Sequence, residues 1–453
     1  MCCDFAADFP TPFSFVSTNH LPDTSSMEWE RDVACGIARE SVPDDTFQGC
    51  RPLVRIHDAA RDISTCQREE MWPTWLLDEI ETSHDRMRTA DPRELNIFRK
   101  VYTDACIVRA LALSLNKCYV EAVSSLDHAI VIAGPFGAGR LELIVNLIQR
   151  IQVHIPRPFH KIDNAFVAPS HFSATSSLKC TIPCLPSPPS FIAFQSPYSR
   201  SPFVLRNYAA EWPALQEHPW KSIAYLRSVA GPGRVVPVEV GSDYRSDDWE
   251  QKLMPWDDFL SYLDSERQPT TEGASDILYL AQHNLMRQFP LLREDIVVPD
   301  YVYASSATPA GYPGYSPPSN EEQLLLNTWL GPSGTVSPAH IDPYYNIYVQ
   351  VSGRKSVWLA PPTVSSYMYS FSAVSYSEPD HPVAGHFPSS TMANTSRIDV
   401  FSEDQNGFPD FEKNVVPVSM TATLDPGDML FFPPGWWHAM RSETTSFSLS
   451  MWF

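Results

Sequence analysis

Hydrophobic residues recur at intervals of three and four through the first third of the chain, as they do on the buried face of an α-helix. The pattern is clearest in residues 75–80, 107–115 and 141–151. It predicts an all-α N-terminal domain of five or six helices over residues 51–169. Residues 1–50 are polar with scattered prolines, and we expect that segment to be partly disordered.

The pattern changes after a stretch rich in serine and proline, residues 170–200, which is typical of a linker. Short runs of β-forming residues follow and replace the helical spacing. They predict a domain rich in β-strands over residues 201–453, with strands near residues 203–208, 235–242, 276–285, 346–359, 429–432 and 446–453. Two polar loops, 301–320 and 364–393, interrupt this domain, and the first is predicted to be a lid or an insertion.

A glycine-bearing loop in the helical region resembles part of a phosphate-binding motif. Gly134 and Gly139 have the G-x-x-x-x-G spacing. The motif requires Lys and then Ser or Thr after the last glycine, where this chain has Arg140 and Leu141. We therefore predict a loop between two helices and no nucleotide site.

Candidate metal ligands lie in the β-rich region. His340 and Asp342 are two residues apart, so on an extended strand they point to one face, about 6–7 Å apart. His438 lies far downstream among β-formers and could supply a third ligand. Two histidines and one carboxylate that leave other positions open are typical of non-haem Fe(II) oxygenases.

A candidate anion-binding lysine follows these ligands. Ser352 and Gly353 separate two strand-like runs and predict a two-residue hairpin. In that pairing Lys355 shares a face with Asn346, and with His340 if the strand is unbroken. A lysine inside a barrel is costly unless it meets an anion, which a dicarboxylate would provide.

Four motifs carry a resemblance to a known family: SPAHIDPYYNIYVQVSGRK, NTSRIDV, LDPGDMLFFPPGWWH and SFSLSMWF. They resemble the jumonji-C (JmjC) family of Fe(II)- and 2-oxoglutarate-dependent oxygenases. The likeness is strongest to the lysine-demethylase-eight type, also described as arginyl hydroxylases, and it covers roughly residues 200–453. It implies an α+β fold, with a double-stranded β-helix (a cupin-type jelly-roll barrel) behind the helical domain.

The resemblance also implies how the site is arranged. His340, Asp342 and His438 would hold Fe(II), and O2 would be the second cosubstrate. Contacts to 2-oxoglutarate would come from Tyr279, Ser337, Asn346, Lys355 and Trp452. The substrate would be held by Glu239, Trp249, Gln282 and Trp329, with a carboxylate for a guanidinium group and a ring for stacking.

The implied reaction is hydroxylation of a protein side chain, first of all arginine, with release of succinate and CO2. Two alternatives stay open. One is demethylation of histone lysine by the same iron chemistry, and the other is a metal-binding scaffold without catalysis. The intact triad and Lys355 argue against the scaffold.

Charge and composition restrict the partners. The net charge of −20 argues against direct nucleic-acid binding and suits a basic protein or peptide. An acidic cluster surrounds Trp249 and consists of Asp243, Asp247, Asp248 and Glu250. The start of the chain lacks the features of a signal peptide, and no run is long enough to span a membrane. We expect an intracellular protein, in the nucleus, the cytoplasm or both, whose helical domain supports the fold or docks a partner.

Overall fold

The computed structural model describes residues 28–40, 50–65, 75–156, 181–241, 245, 249–264, 277–304, 306–371, 392–402 and 407–453. Helices make up the first part of the described chain. They are α1 (Glu28–Arg39), α2 (Arg51–Thr65), α3 (Trp75–Thr89), α4 (Pro92–Leu115), α5 (Tyr119–His128), a π-helix (Ala129–Ala133) and α6 (Arg140–Gln152). The others pack around α4, whose middle turns contain the fully buried side chains of Ile107, Val108 and Leu111.

The helical domain begins earlier than the predicted boundary at residue 51. Helix α1 lies inside the segment 1–50 and packs against α2. Its buried side chains are Glu30, Ala34 and Ile37, of which only two are apolar, so the hydrophobic signal is weak in the sequence. Residues 1–27, 41–49, 66–74 and 157–169 of the predicted segments lie outside the described residues.

The glycine-bearing loop joins two helices, as predicted. The π-helix precedes it and α6 follows it directly after Gly139. The guanidinium group of Arg140 does not face an empty loop, because it donates to the carboxylates of Asp104 and Glu40 at 2.7 and 2.8 Å. Because the Arg140 guanidinium is already paired with two carboxylates, a structural role for the motif is favoured over a phosphate-binding one.

The second part of the chain has the predicted β-rich fold, which confirms the α+β class. Its strands are β1 (Cys184–Leu185), β2 (Phe203–Leu205), β3 (Val235–Val240), β4 (Glu250–Pro255), β5 (Leu278–His283), β6 (Leu325–Gly331), β7 (Val336–Ile341), β8 (Asn346–Ser352), β9 (Lys355–Ala360), β10 (Met420–Leu424), β11 (Met429–Phe432), β12 (Trp437–Ser442) and β13 (Ser446–Trp452). Between them lie helices α7 (Phe191–Gln195), α8 (Ile223–Ala230), α9 (Trp256–Asp264), α10 (Leu285–Gln288) and α11 (Pro409–Asn414).

Two sheets face each other in this domain. The major sheet has the order β1-β2-β11-β8-β13-β6-β5-β3-β4, and the minor sheet has the order β10-β9-β12-β7. Strands adjacent in the sheet are mostly distant in the chain, as in a jelly roll. Every side chain of β8, β9 and β13 is buried, including the serines that alternate with apolar residues in β13.

The predicted hairpin at Ser352 and Gly353 is wrong. Strand β8 pairs with β11 and β13 in the major sheet, whereas β9 pairs with β10 and β12 in the minor sheet. The turn therefore carries the chain from one sheet to the other. The strand that carries His340 also ends at Ile341 and does not continue to Asn346, because β7 belongs to the minor sheet and β8 to the major one. Lys355 still points inward, since the two sheets face each other.

The predicted linker is partly folded into the β-domain. Ile182 is buried, and β1 pairs in parallel with β2. Residues 170–180 lie outside the described residues, as do residues 372–391 of the second polar loop. The first polar loop lies against the end of the minor sheet, where the ring of Tyr312 covers Gly435 so closely that a Cβ there would meet it at 2.6 Å.

None of the described helices is both long enough and apolar enough to cross a membrane.

Candidate metal centre and adjoining cavity

Three predicted ligands lie together at one end of the minor sheet. His340 is on β7, and Asp342 is the first residue after that strand. His438 is on the neighbouring strand β12, where it is the register partner of His340. The Nε2 atom of His340 is 3.8 Å from Asp342 Oδ1, and the Nε2 atom of His438 is 3.3 Å from Oδ2. All three ligand atoms lie within 4.8 Å of one another. One small ion can reach all of them.

Backbone carbonyls fix the orientation of both imidazoles. The Nδ1 atom of His340 is 2.7 Å from the carbonyl of Pro338, and that of His438 is 3.0 Å from the carbonyl of Trp436. Each Nδ1–H therefore donates to the main chain and leaves the Nε2 lone pair directed at Asp342. This arrangement is typical of metal-bound histidines, whose second nitrogen is held by a hydrogen bond.

The charge states also suit a divalent cation. Burial, followed by the nearby His438, lowers the pKa of His340 to about 4, so its imidazole is neutral at pH 7. Burial opposes ionisation of Asp342, but the two histidines lower the pKa of this carboxyl below its usual value. A neutral imidazole and an ionised carboxylate are the forms that bind a metal. The donor set fits Fe(II).

A narrow cavity extends from the triad between the two sheets. Besides the three ligands it is lined by Tyr279, Trp329, Ser337, Asn346, Tyr348, Lys355 and Met440. Lys355 is 1% exposed, and its Nζ atom donates to Tyr279 Oη at 3.1 Å. Across the described ranges no carboxylate pairs with it, and burial lowers the pKa of this lysine to about 7. A buried cation with neutral neighbours is a site for an anion.

Unsatisfied polar atoms support the same conclusion. The hydroxyl of Tyr348 is buried without a hydrogen-bond partner, and its ring centre is 5.9 Å from Lys355 Nζ. The indole Nε1 of Trp452 is also buried and unpartnered. Native interiors contain few such groups, and an absent ligand is one explanation of them. The residues present therefore fit 2-oxoglutarate, whose far carboxylate Lys355 and Tyr348 could bind.

The structure brings most of the predicted cosubstrate residues together. Tyr279, Ser337, Asn346 and Lys355 line the cavity. Trp452 is not part of this lining, but it lies opposite Asn346 in the register of β13 and β8 and thus shares its face.

Two lining residues escaped the sequence analysis, Tyr348 and Met440. Tyr348 lies two residues beyond Asn346 on β8. The period of two along a strand would therefore have placed it on the same face.

The predicted substrate residues spread outward from the cavity across four adjacent strands. Trp329 is on β6 and lines the cavity, whereas Gln282 is on β5, Glu239 on β3, and Trp249 immediately precedes β4. Glu239 is the register partner of Tyr279, so both side chains lie on one face. Their proximity contributes to the raised pKa of Tyr279, after burial and Tyr348.

Only one member of the acidic cluster near Trp249 is among the described residues. Asp243, Asp247 and Asp248 lie outside the described residues, and Glu250 is exposed at the start of β4. Trp249 has a buried Nε1 without a partner. His283, on β5, contacts the side chain of Gln288 and not the metal centre.

Comparisons with known proteins agree with this geometry. A family model described as a cupin-like domain matches residues 195–453. The chain is 39% identical over 277 residues to Jumonji C domain-containing protein 5 of Drosophila melanogaster, covering 60% of each protein. It is 32% identical to Lysine-specific demethylase 8 of Danio rerio, covering 79% of this chain and 81% of the relative. It is 30% identical to Lysine-specific demethylase 8 of Xenopus tropicalis, covering 88% of this chain and 93% of the relative.

Proposed function

Since the chain belongs to the JmjC oxygenases of the cupin-like family, we propose that it uses Fe(II), 2-oxoglutarate and O2 to hydroxylate an arginine side chain of a protein. The observation that carries the arginine proposal is the position of Glu239. Its carboxylate lies on the face of Tyr279, next to the cavity, where a guanidinium group could be bound by two parallel hydrogen bonds. Trp329 offers a ring at the cavity itself.

Bound iron with 2-oxoglutarate would supply the oxidation, with succinate and CO2 as coproducts. The protein holds and orients the reactants. His340, Asp342 and His438 would hold the metal, and the carbonyls of Pro338 and Trp436 keep the imidazoles from rotating. Lys355 takes up a proton when an anion enters, because a nearby negative charge raises its lowered pKa. The closely packed, largely buried lining excludes water from the reacting atoms.

Demethylation of lysine is the second candidate. Two similar proteins bear the name Lysine-specific demethylase 8, and the same site would oxidise an N-methyl group. Glu239 would then pair with a methylated ammonium group, which makes only weak or single hydrogen bonds. A planar guanidinium uses the carboxylate more fully, and that is why arginine comes first. A basic peptide would suit the net charge of −20 in either case.

The first experiment measures succinate formed from 2-oxoglutarate by purified protein with Fe(II) and ascorbate. Peptides containing arginine, methyl-lysine or neither are added in parallel, and product mass is read from each. We expect a gain of one oxygen atom on arginine peptides. Loss of a methyl group from lysine peptides would instead support the second candidate.

Variants show whether the proposed site is responsible. His340→Ala should abolish turnover, since one of three ligands is lost. Glu239→Gln should lower turnover of the arginine peptide without changing the KM for 2-oxoglutarate. Lys413→Ala, an exposed lysine on α11, is the matched control and should behave like the unaltered protein. Iron binding with no turnover on any peptide would contradict the proposal and favour the scaffold.

A further inference from the structure

A continuous run of buried polar contacts connects the helical domain to the substrate side of the site. We propose that Asp127 and Arg234 are positioning residues, through which the helical domain fixes strands β3 and β5 and so aims Glu239 and Gln282 at the substrate. This inference rests on the proposed function for the meaning of those two side chains. Its structural core, that a helical-domain carboxylate fixes the two strands, can be measured without turnover.

The first contact is an ion pair between the domains. Asp127 is fully buried at the point where α5 passes into the π-helix. It accepts hydrogen bonds from Arg234 Nε at 2.9 Å and Nη2 at 2.7 Å, and from the backbone N–H of Val235 at 2.9 Å. Arg234 is 5% exposed. A buried carboxylate is tolerated only with such partners, so the pair determines where the first residues of β3 lie.

The contacts continue from Arg234 into α10. Arg234 Nη2 donates to the backbone carbonyl of Gln288 at 2.8 Å. The Gln288 side chain in turn donates from Nε2 to the carbonyl of Val235 at 2.6 Å. The other end of that side chain, Oε1, is 2.8 Å from His283 Nε2. Gln288 is fully buried and uses both ends of its amide. It therefore ties the start of β3 to the end of β5.

His283 closes the run at an irregular part of β5. Because Gln288 Oε1 accepts, His283 Nε2 carries the proton, and burial lowers the pKa of this imidazole so that it stays neutral. The carbonyl of His283 accepts from Thr328 Oγ1 on β6 at 2.6 Å. His283 is thus held from both sides.

The residue before it, Gln282, has a left-handed backbone with φ of 49°. The register of β5 and β6 shifts between Leu280 and His283, so Gln282 sits in a bulge. A left-handed conformation is unfavourable for a residue with a side chain and persists where its neighbours are fixed. Bulges redirect side chains, and this one determines the direction of Gln282.

The metal ligands lie outside this run of contacts. They lie on β7 and β12 of the minor sheet, or directly after β7 in the case of Asp342, whereas β3, β5 and β6 are in the major sheet. Loss of the Asp127 carboxylate should therefore disturb substrate positioning and leave metal binding intact. A purely stabilising ion pair would make no such distinction.

The test compares Asp127→Asn with Asp104→Asn in the full-length protein. Asp104 is equally buried in the helical domain, and its ion pairs within the described part of the chain are to Arg140 and Lys100, neither of which belongs to β3 or β5. Hydrogen exchange is followed in peptides covering residues 235–240 and 278–283. We expect Asp127→Asn to speed exchange there by about tenfold, and Asp104→Asn to leave those strands unchanged.

Gln288→Leu is the second variant, because it cuts the run without leaving a buried charge unpaired and should fold where Asp127→Asn does not. It should speed exchange in residues 278–283 by a similar factor. Equal exchange at both strands in all variants, or equal loosening by Asp104→Asn, would overturn the proposal whether or not the protein turns over.

Kinetics of the arginine peptide provide a further readout. Asp127→Asn should raise the KM for the peptide about tenfold, with the affinity for Mn(II) within twofold of the unaltered protein. An equal loss of Mn(II) affinity would contradict a positioning role. Absence of turnover in the unaltered protein would count against the proposed function, and the exchange data would still decide this inference.

Discussion

At the scale of single residues, Lys355 is the most costly side chain of the site. Its ammonium group has no anionic partner among the described residues, and burial lowers its pKa from 10.5 to about 7. The unfolded chain, with the ordinary pKa, binds the proton more tightly than the folded one. Stability is therefore lost as the pH falls from about 10.5 to about 7, and the loss is complete below that range.

Replacement of this lysine should separate stability from activity. Lys355→Met should abolish turnover and raise the melting temperature of the cofactor-free protein at pH 7 by about 5 °C. The gain should shrink steadily towards pH 10, because the unaltered protein loses its penalty there. Melting curves between pH 6 and pH 10 measure this, and a gain independent of pH would contradict it. Adding Mn(II) and 2-oxoglutarate should stabilise only the unaltered protein.

Removal of the Tyr348 hydroxyl is predicted to raise the stability of the ligand-free protein and to weaken 2-oxoglutarate binding. The hydroxyl is buried and unpaired, so Tyr348→Phe should stabilise the ligand-free protein by about 1 kcal/mol. The same change should weaken 2-oxoglutarate binding about tenfold, since a hydrogen bond to a carboxylate is lost. Calorimetric titration with Mn(II) measures the second effect, and Tyr303→Phe, at an exposed ring, is the control. Unchanged affinity would place the hydroxyl outside the cosubstrate site.

At the scale of secondary-structure elements, the chain passes from the major sheet to the minor sheet at the turn between β8 and β9. Gly353 has φ of 73°, and a Cβ there would lie 2.0 Å from the carbonyl oxygen of Thr445. Gly334 has a similar φ of 87° but open space around it. Comparing alanine substitutions at Gly334 and Gly353 therefore separates the free-energy cost of the left-handed backbone from that of the steric clash.

We expect Gly334→Ala to destabilise the protein by about 1 kcal/mol, the cost of a left-handed alanine. Gly353→Ala should cost about 3 kcal/mol or more and lower turnover, because the clash displaces the turn that carries Lys355. Denaturant unfolding gives both values. Equal losses would mean that the turn can move without resistance.

The turn between β8 and β9 shows which features of the fold could be predicted from the sequence and which could not. The residues around Ser352 and Gly353 are those of a local hairpin, and local chemistry says nothing about which sheet each strand joins. Lys355 was nevertheless placed on the side of Asn346, although through a hairpin pairing that does not exist, because the facing sides of the two sheets line the same cavity. Glu239 and Tyr279 became neighbours only through the pairing of β3 with β5, which is long-range in the chain. The motif at His340 and Asp342 was predictable because both lie within three residues.

At the scale of the whole molecule, the two domains share buried polar contacts. Besides Asp127 and Arg234, the side chain of Gln152 on α6 donates to the carbonyls of Ala230 and Pro232 at 3.0 and 2.8 Å. Separation of the domains would leave a carboxylate and a guanidinium group without partners. The helical domain is therefore part of the folded unit.

We expect the full-length protein to unfold in one calorimetric transition, with equal calorimetric and van't Hoff enthalpies. Asp127→Asn should split this transition or lower its midpoint, because it weakens the contact that couples the domains. Two separate transitions in the unaltered protein would show that the domains are energetically independent.

The division between the sheets has a consequence for how such an enzyme can diversify. All three proposed metal ligands come from the minor sheet or its edge, whereas the proposed substrate residues Glu239, Gln282 and Trp329 come from the major sheet. Mutations on one wall can change which side chain is admitted while the opposite wall preserves the oxidising centre. Selection can then explore new substrates in small viable steps, and a designer who wants a new target should vary Glu239, Gln282 and Trp329 and leave Tyr279 and the ligand strands β7 and β12 untouched.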